Sequence, residues 1–233
     1  MTTFLLIHGS FQGGWIWQPT VEQLRADGHQ VYAPTLDGCG ERRVHLRPGI
    51  TVSSVARELA ELAFYEDMQD LVLVGTSSGG LVVQILATLI RARVDRLVFL
   101  DALVPASGES VADIVHHAGG PPPYAITELT RGLSRDAFGA GLFAELAGEQ
   151  KEWALDRVTA HPLGLSDHQP GDVDAFWSSE WRCTVIRCAE SPNPPEAHQR
   201  RTAETLQATW REMPAGHYPM LTHPALTASL LLD

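Results

Sequence analysis

One serine motif, G-T-S-S-G at residues 75–79, constrains the fold of this chain more than any other feature. It matches G-x-S-x-G, follows the apolar run at 71–74 and precedes a strongly helical stretch that begins at Ser78. A serine on such a strand-to-helix turn is held above the edge of a parallel sheet, with its hydroxyl exposed for attack. The glycines let neighbouring backbone pass close to the turn. The motif therefore predicts an α/β fold with Ser77 as the nucleophile.

Short apolar runs alternate with helical patterns along most of the chain, which is typical of βαβ units around a parallel sheet. We predict strands at 4–8, 31–33, 71–74, 97–100, 183–188 and 209–213. We predict helices at 19–27, from a cap at Thr51 or Ser53 to about 64, at 78–91, at about 195–206 and at 224–232. The pattern breaks at residues 105–181, too long a stretch to lack structure in a compact domain. We therefore expect one domain over residues 1–233, with 105–181 inserted as a small helical cap.

Composition and charge exclude several classes of partner. The net charge of −11 disfavours nucleic acid and anionic membranes. No apolar run approaches the roughly 20 residues that span a bilayer, and the N-terminal residues lack the features of a signal peptide. The three cysteines, Cys39, Cys183 and Cys188, are odd in number and fit no zinc spacing, so we expect thiols in the cytoplasm. The acidic residues and the histidine at 167–174 also lack a ligand spacing, and we expect no metal.

The loop after the first strand and the start of the helix at Ser78 predict an oxyanion hole. The sequence His8-Gly9-Ser10 follows the first strand, and a loop at this point aims a backbone N–H at the nucleophile. The N–H of the residue after the nucleophile supplies the second donor. We assign these donors to Ser10 and Ser78, and we give His8 no catalytic role.

A general base is expected on the loop that follows the last strand. Of the ten histidines, only His217 and His223 lie beyond the predicted strand at 209–213. His223 precedes Pro224 and resembles a helix-start residue. The base is therefore assigned to His217.

Several segments resemble the methyl-salicylate esterase and hydroxynitrile lyase branch of the α/β-hydrolases. They are FLLIHGS at 4–10, GGWIW at 13–17, VGTSSGG at 74–80 and GH at 216–217. The stretches TLDGCGER at 35–42 and LDALVP at 100–105 resemble bacterial members of this branch in particular. The resemblance implies an α/β-hydrolase fold with a mainly parallel six-stranded sheet, helices on both faces and a small helical cap. It also implies hydrolysis of small esters without a cofactor.

Three positions depart from this branch. Lyases of the branch carry a lysine where this chain has Tyr218 and a threonine where it has Gly9, so cyanohydrin cleavage is not expected. The plant esterases place the aspartate of the triad where this chain has Ser191. The acid that orients the base must therefore come from elsewhere or be absent.

Two carboxylates are candidates for the displaced acid. Asp101 ends the predicted strand after the nucleophile helix, about 4.8 Å from the nucleophile strand, and lies at the same sheet edge. Glu190 is one residue from the family position, and strand alternation turns it away. We favour Asp101, with Glu190 and a site lacking an acid as alternatives.

The expected substrate is a small ester or lactone, partly apolar or aromatic. We predict that it contacts three aromatic residues: Trp153 and Trp177 in the cap, and Tyr218 beside the base. Packing within the cap is an alternative explanation for the tryptophans. Further candidates in the cap are Trp181 and the pair His116-His117. Two other functions stay open: a cyclase, decarboxylase or lyase of the same fold, and a non-catalytic small-molecule receptor. A homodimer is compatible with the sequence.

Overall fold

The computed structural model describes residues 1–115 and 124–233, and a parallel sheet of six described strands runs through its centre. In chain order the described strands are β1 (Thr3–Ile7), β2 (Gln30–Tyr32), β3 (Leu71–Ser77), β4 (Val94–Ala102), β5 (Ala125–Ile126), β6 (Thr130–Gly132), β7 (His161–Pro162), β8 (Cys183–Cys188) and β9 (Thr209–Met213). The central sheet has the order β2-β1-β3-β4-β8-β9, and every adjacent pair is parallel. The predicted six-stranded parallel sheet is confirmed.

Helices cover both faces of this sheet. In chain order the described α-helices are α1 (Gln18–Ala26), α2 (Val52–Tyr65), α3 (Gly79–Leu89), α4 (Val111–Ile114), α5 (Arg135–Ala140), α6 (Gly148–Leu155), α7 (Asp174–Trp177), α8 (Glu196–Thr205), α9 (Pro219–Thr222) and α10 (Pro224–Leu232). Leu5 and Leu73 belong to a buried cluster with side chains of α2 and α3, whereas Phe4 and Val74 belong to a second cluster with α1 and α10. Alternate residues thus face opposite layers, which explains why these strands are continuously apolar.

Most predicted boundaries lie within a few residues of the observed ones, and β8, β9 and α10 have the predicted bounds. The Thr51 side chain accepts a hydrogen bond from the Ser54 amide, and the Ser54 side chain accepts one from the Thr51 amide. Thr51, rather than Ser53, is therefore the N-cap of α2. The short helix α9, which follows the His217 loop, was not predicted.

The cap segment, residues 105–181, contains strands as well as short helices. It carries α4 to α7 together with the antiparallel sheet β5-β6-β7. The expectation of helices alone missed this sheet because strands of two or three residues are too short to show alternation. His116, His117 and the Pro-Pro-Pro run at 121–123 lie outside the described residues.

Buried aromatic side chains connect the cap segment to both layers of the core. Phe138 and Phe143 belong to the cluster of α1 and α10, and Phe176 belongs to the cluster of α2 and α3. Within the described part of the chain, no helix combines the length and apolarity needed to cross a membrane.

Candidate active site

Ser77 lies on a tight turn between β3 and α3. Its φ of +52° falls in the left-handed region that non-glycine residues rarely adopt. A side chain at Gly79 would place its Cβ 2.6 Å from the Ile7 carbonyl oxygen, so only glycine allows the strand and helix to approach this closely. The turn directs Ser77 into a cavity beyond the carboxyl end of β3.

This cavity has a volume of about 1090 Å³. Residues from the loops after β1, β3, β4, β8 and β9 line it, together with residues of the cap segment. Polar lining residues include Ser10, Ser77, Ser78, His217 and Arg131. The carboxyl edge of a parallel sheet is where α/β proteins bind their ligands. The cavity therefore brings the expected nucleophile, base and oxyanion residues to one place.

Asp101 contacts the imidazole of His217. The distance from His217 Nδ1 to Asp101 Oδ2 is 2.6 Å, and the Asp101 side chain is completely buried. A carboxylate at Nδ1 holds the ring proton on that nitrogen and leaves Nε2 free to accept a proton. The other carboxylate oxygen, Oδ1, accepts a hydrogen bond of 2.8 Å from the Gln199 side chain on α8.

A bulge in β4 explains why Asp101 points at the histidine. Thr76 pairs with Leu100 and Ser77 pairs with Ala102, so Asp101 is the extra residue between two paired positions. Its φ of +45° is positive, like that of Ser77. Bulges re-aim side chains next to active sites. This one turns Asp101 toward the loop after β9.

The other positions considered for the acid make weaker contacts. Ser191, at the family position, lies 3.5 Å from His217 Nδ1 and donates a shorter hydrogen bond of 2.8 Å to the Asn193 carbonyl. Glu190 is exposed and makes no hydrogen bond to His217. The geometry favours Asp101 over Glu190 as the acid, and Asp101 makes a shorter contact to the ring than Ser191 does.

Ser77 and His217 line the same cavity, but no hydrogen bond joins their side chains in this structure. Catalytic hydrogen bonds are often long before substrate binds and shorten in the complex. The arrangement is therefore compatible with proton transfer from Ser77 to His217 after substrate binding.

The backbone amides of Ser10 and Ser78 donate no hydrogen bond to another described residue. The side chains of these two serines are 2.9 Å apart, which ties the loop after β1 to the start of α3. His161 Nε2 lies 3.2 Å from the Ser10 hydroxyl, and burial lowers the pKa of His161 to about 3, so this ring is neutral. Two amides near the nucleophile can stabilise an oxyanion.

His8 holds the backbone beside this loop. The ring is buried, with Nδ1 2.8 Å from the Gly9 carbonyl oxygen, and Nε2 accepts from the Leu36 amide. Burial lowers the pKa of His8 to about 4, so it is neutral at physiological pH. These contacts are structural, in agreement with the absence of a catalytic assignment.

Of the three residues expected to contact substrate, Tyr218 lines the cavity. Its ring packs edge-on against His217, with centroids 5.1 Å apart, and its hydroxyl accepts from Gln12. Trp153 packs instead against Trp15, and Trp177 donates a hydrogen bond to the Pro105 carbonyl. Neither tryptophan is among the residues that line the cavity, because both indoles pack the cap segment onto the core.

Several residues of the site were missed by sequence reasoning. Arg131, from β6, lines the cavity beside Ser10. Glu145 accepts a 2.7 Å hydrogen bond from the Tyr218 amide, next to the expected base. Desolvation of its carboxylate, together with the nearby charges of Asp101 and Glu190, raises the pKa of Glu145, although the residue is exposed. These residues belong to the cap segment, where no motif indicated them.

Comparison with known proteins places this architecture among hydrolases. A model of the "Alpha/beta hydrolase family" matches residues 4–230. A carbendazim hydrolyzing esterase from Nocardioides sp. (strain SG-4G) is 36% identical, with 96% of each chain covered. Methylesterase 10 from Arabidopsis thaliana is 30% identical, covering 99% of this chain and 90% of the relative. Among solved structures, an extracellular alpha/beta-hydrolase from a Paenibacillus species superposes on this chain with a TM-score of 0.84 at 24% identity. The superposition covers 100% of this chain and 98% of the other, and it supports the fold.

Proposed function

Because this chain belongs to the alpha/beta hydrolase family and is a serine ester hydrolase, we propose that it cleaves small carboxylic esters or lactones through a covalent intermediate on Ser77. The observation that carries the proposal is the 2.6 Å contact between His217 and Asp101, at the cavity that Ser77 also lines. It gives the site the base and the orienting acid that a serine nucleophile requires. A displaced acid had made a non-hydrolytic reaction plausible, and the contact between Asp101 and His217 supports hydrolysis instead.

In the proposed mechanism Ser77 Oγ attacks the ester carbonyl while His217 Nε2 accepts its proton. The amides of Ser10 and Ser78 stabilise the negative charge on the tetrahedral intermediate. The imidazolium, stabilised by Asp101, returns the proton to the leaving alkoxide, and an acyl group remains on Ser77. Water then attacks this acyl-enzyme with His217 again as the base, which releases the acid and regenerates the serine.

The cavity lining favours substrates with an apolar or aromatic portion. Its apolar residues include Phe11, Leu103, Leu133 and Leu142. Apolar walls with a few polar groups are usual for small-molecule sites. The names of the relatives, a carbendazim hydrolyzing esterase and methylesterases, agree with small esters as substrates.

The site lacks two features of cyanohydrin cleavage. Tyr218 occupies the lysine position of the lyases, and its hydroxyl is held by Gln12. A Cβ at Gly9 would lie 2.6 Å from Ser77 Cβ, so the threonine of the lyases does not fit without a shift of the loop. Hydrolysis is therefore the function we propose.

A panel of methyl, aryl and lactone esters tests the proposal. Wild-type protein should hydrolyse at least one class, and Ser77→Ala should lower turnover by about 10⁵–10⁶-fold, the scale for removing a triad serine. Ser178→Ala, at an exposed serine of the cap segment outside the cavity, should change turnover less than about twofold and serves as the control. Turnover by Ser77→Ala close to that of the wild type would contradict the proposal.

We also propose a reducing, cytoplasmic location. Cys39, Cys183 and Cys188 are all buried and unpaired, as expected for thiols that are kept reduced. Cell fractionation checks the location, and light scattering checks whether the protein is a homodimer.

A further inference from the structure

Arg131 presents a cation to the catalytic cavity. It lies on β6 of the cap segment, and its Nη2 is 3.4 Å from the Ser10 hydroxyl. Its guanidinium carbon lies 5.1 Å from the ring centroid of Phe11 and 5.0 Å from that of Tyr124. Since these three residues line the cavity, the positive charge borders the space beside the proposed oxyanion hole.

This cation has no carboxylate partner in the described residues. No acidic side chain lies within 4.0 Å of it there, and the undescribed residues 116–123 contain no aspartate or glutamate. Asp167, the acidic residue of the lining, accepts instead from the amides of Val111 and His168. The Arg131 Nε is buried and also has no hydrogen-bond partner among residues 1–115 and 124–233. A partly buried guanidinium is normally paired, because withdrawing its charge from water is costly.

Packing on aromatic rings alone does not account for this placement. Arg157, also in the cap segment, stacks on Trp153 at 4.3 Å, but it is exposed to solvent and donates to the Trp153 carbonyl. Arg131 is half-buried instead, its hydrogen bond to the Ser10 hydroxyl is long at 3.4 Å, and its Nε donates to no described residue. The missing partner of Arg131 is therefore expected to enter the cavity from outside.

We propose that Arg131 binds a carboxylate of the substrate, so that the preferred ester is a monoester of a short dicarboxylic acid. The inference rests on the proposed function of this site. Arg131 reaches the Ser10 side chain, and the Ser10 amide holds the scissile carbonyl through a hydrogen bond of about 2.9 Å. This proximity favours a spacer of about two or three methylene groups between the two carbonyl carbons. With a net charge of −11 the protein repels anions at long range, so selection for a carboxylate must be local.

The test compares monomethyl succinate and monomethyl glutarate with their dimethyl esters, which have the same chain length and no charge. The wild-type protein should prefer the monoesters by at least about tenfold in kcat/KM, the scale of a charge-assisted hydrogen bond. Arg131→Gln should lower that ratio by at least about tenfold, and Arg131→Lys, which keeps the charge, should retain more of the preference. Arg157→Gln, which removes the other aromatic-stacked arginine of the cap segment, should change the ratio less than about twofold.

A binding measurement separates this inference from the proposed function. Calorimetry of monomethyl glutarate with Ser77→Ala requires no turnover, and adding Arg131→Gln should weaken that binding by at least about tenfold. Absence of hydrolysis of every ester by the wild type would overturn the function alone. Equal kcat/KM for monoesters and dimethyl esters in the wild type, or binding that Arg131→Gln leaves unchanged, would overturn the role of Arg131. The wild-type comparison stands even if Arg131→Gln fails to fold.

Discussion

At the scale of single residues, the site depends on two strained backbone positions. Ser77 and Asp101 have φ values of +52° and +45°, although neither is glycine. Such conformations cost about 1–3 kcal/mol each and persist where the surrounding structure enforces them. Here the central strands β3 and β4 hold both residues, since Ser77 pairs with Ala102 and Asp101 lies between the paired residues Leu100 and Ala102. The positive φ values accompany side chains that are turned into the cavity, for Ser77, and toward His217, for Asp101.

Replacing Asp101 by asparagine tests its proposed role. The amide keeps the shape but favours the wrong tautomer of His217, and such a change costs up to about 10⁴-fold in a serine triad. We expect Asp101→Asn to lose at least about 10²-fold in kcat, and Glu190→Gln to lose less than about tenfold, with both proteins folded by circular dichroism. Asp95→Asn, at an exposed position of the same strand, is the matched control. A larger loss for Glu190→Gln than for Asp101→Asn would transfer the role to Glu190.

The sequence predicted the residues that lie in motifs, but it did not predict the residues that contact and support them. Ser77 and His217 were predicted because short motifs lie at recognisable ends of strands. The sequence left the acid open between Asp101, Glu190 and none, since a β-bulge has no reliable local signature. Arg131 and Glu145 reach the site through tertiary packing of the cap segment, which periodicity does not reveal.

At the scale of elements, the strands of the central sheet were more predictable from the sequence than the cap segment. The strands β8 and β9 were predicted with correct bounds for different reasons. Most of β8 is apolar or β-branched, whereas β9 contains the charged Arg211 and Glu212 and is defined by the Pro-Ala-Gly turn at 214–216. The cap segment was the least predictable region, since its strands have only two or three residues. Its contact with the catalytic edge depends on single side chains such as Glu145, which holds the backbone of the loop that carries His217.

Glu145 is expected to position this loop through an acceptor oxygen. Glu145→Ala removes the acceptor from the Tyr218 amide, a charge-assisted bond that solvent around the exposed carboxylate weakens to about 1 kcal/mol. We expect kcat/KM to fall by about fivefold in Glu145→Ala and less in Glu145→Gln, whose amide oxygen still accepts. Glu149→Ala, at an exposed glutamate in the first turn of α6, is the control. Equal losses in Glu145→Gln and Glu145→Ala would show that hydrogen bonding at this position is not what matters.

At the scale of the whole molecule, buried neutral histidines link folding to pH. Burial lowers the pKa of His8 from 6.5 to about 4 and that of His161 to about 3. In the unfolded chain these rings bind protons below about pH 6.5, while the folded protein excludes the protons until the lower values are reached. The free energy of unfolding should therefore fall as the pH decreases through this window.

Denaturant unfolding at pH 7.5 and pH 4.5 measures this loss. A pKa lowered from 6.5 to about 4 corresponds to about 3 kcal/mol for His8 when the shift is fully expressed. His8→Gln should be less stable than the wild type at pH 7.5, but it should lose about 2–3 kcal/mol less on acidification. Ser178→Ala, which removes no titratable group from an exposed position, should leave the pH dependence of the wild type unchanged. An identical pH dependence in His8→Gln and the wild type would exclude His8 as a contributor.

The central claim is that Ser77 is a nucleophile activated by His217, and intact-mass analysis with a serine-reactive fluorophosphonate tests it most directly. One adduct per chain should form on the peptide that contains Ser77, with loss of fluoride and of the serine proton. Labelling should be absent in Ser77→Ala and at least about 10²-fold slower in His217→Ala, because general-base catalysis is worth about 10²–10⁴-fold. No adduct in the wild type, or an adduct that persists in Ser77→Ala, would contradict the account.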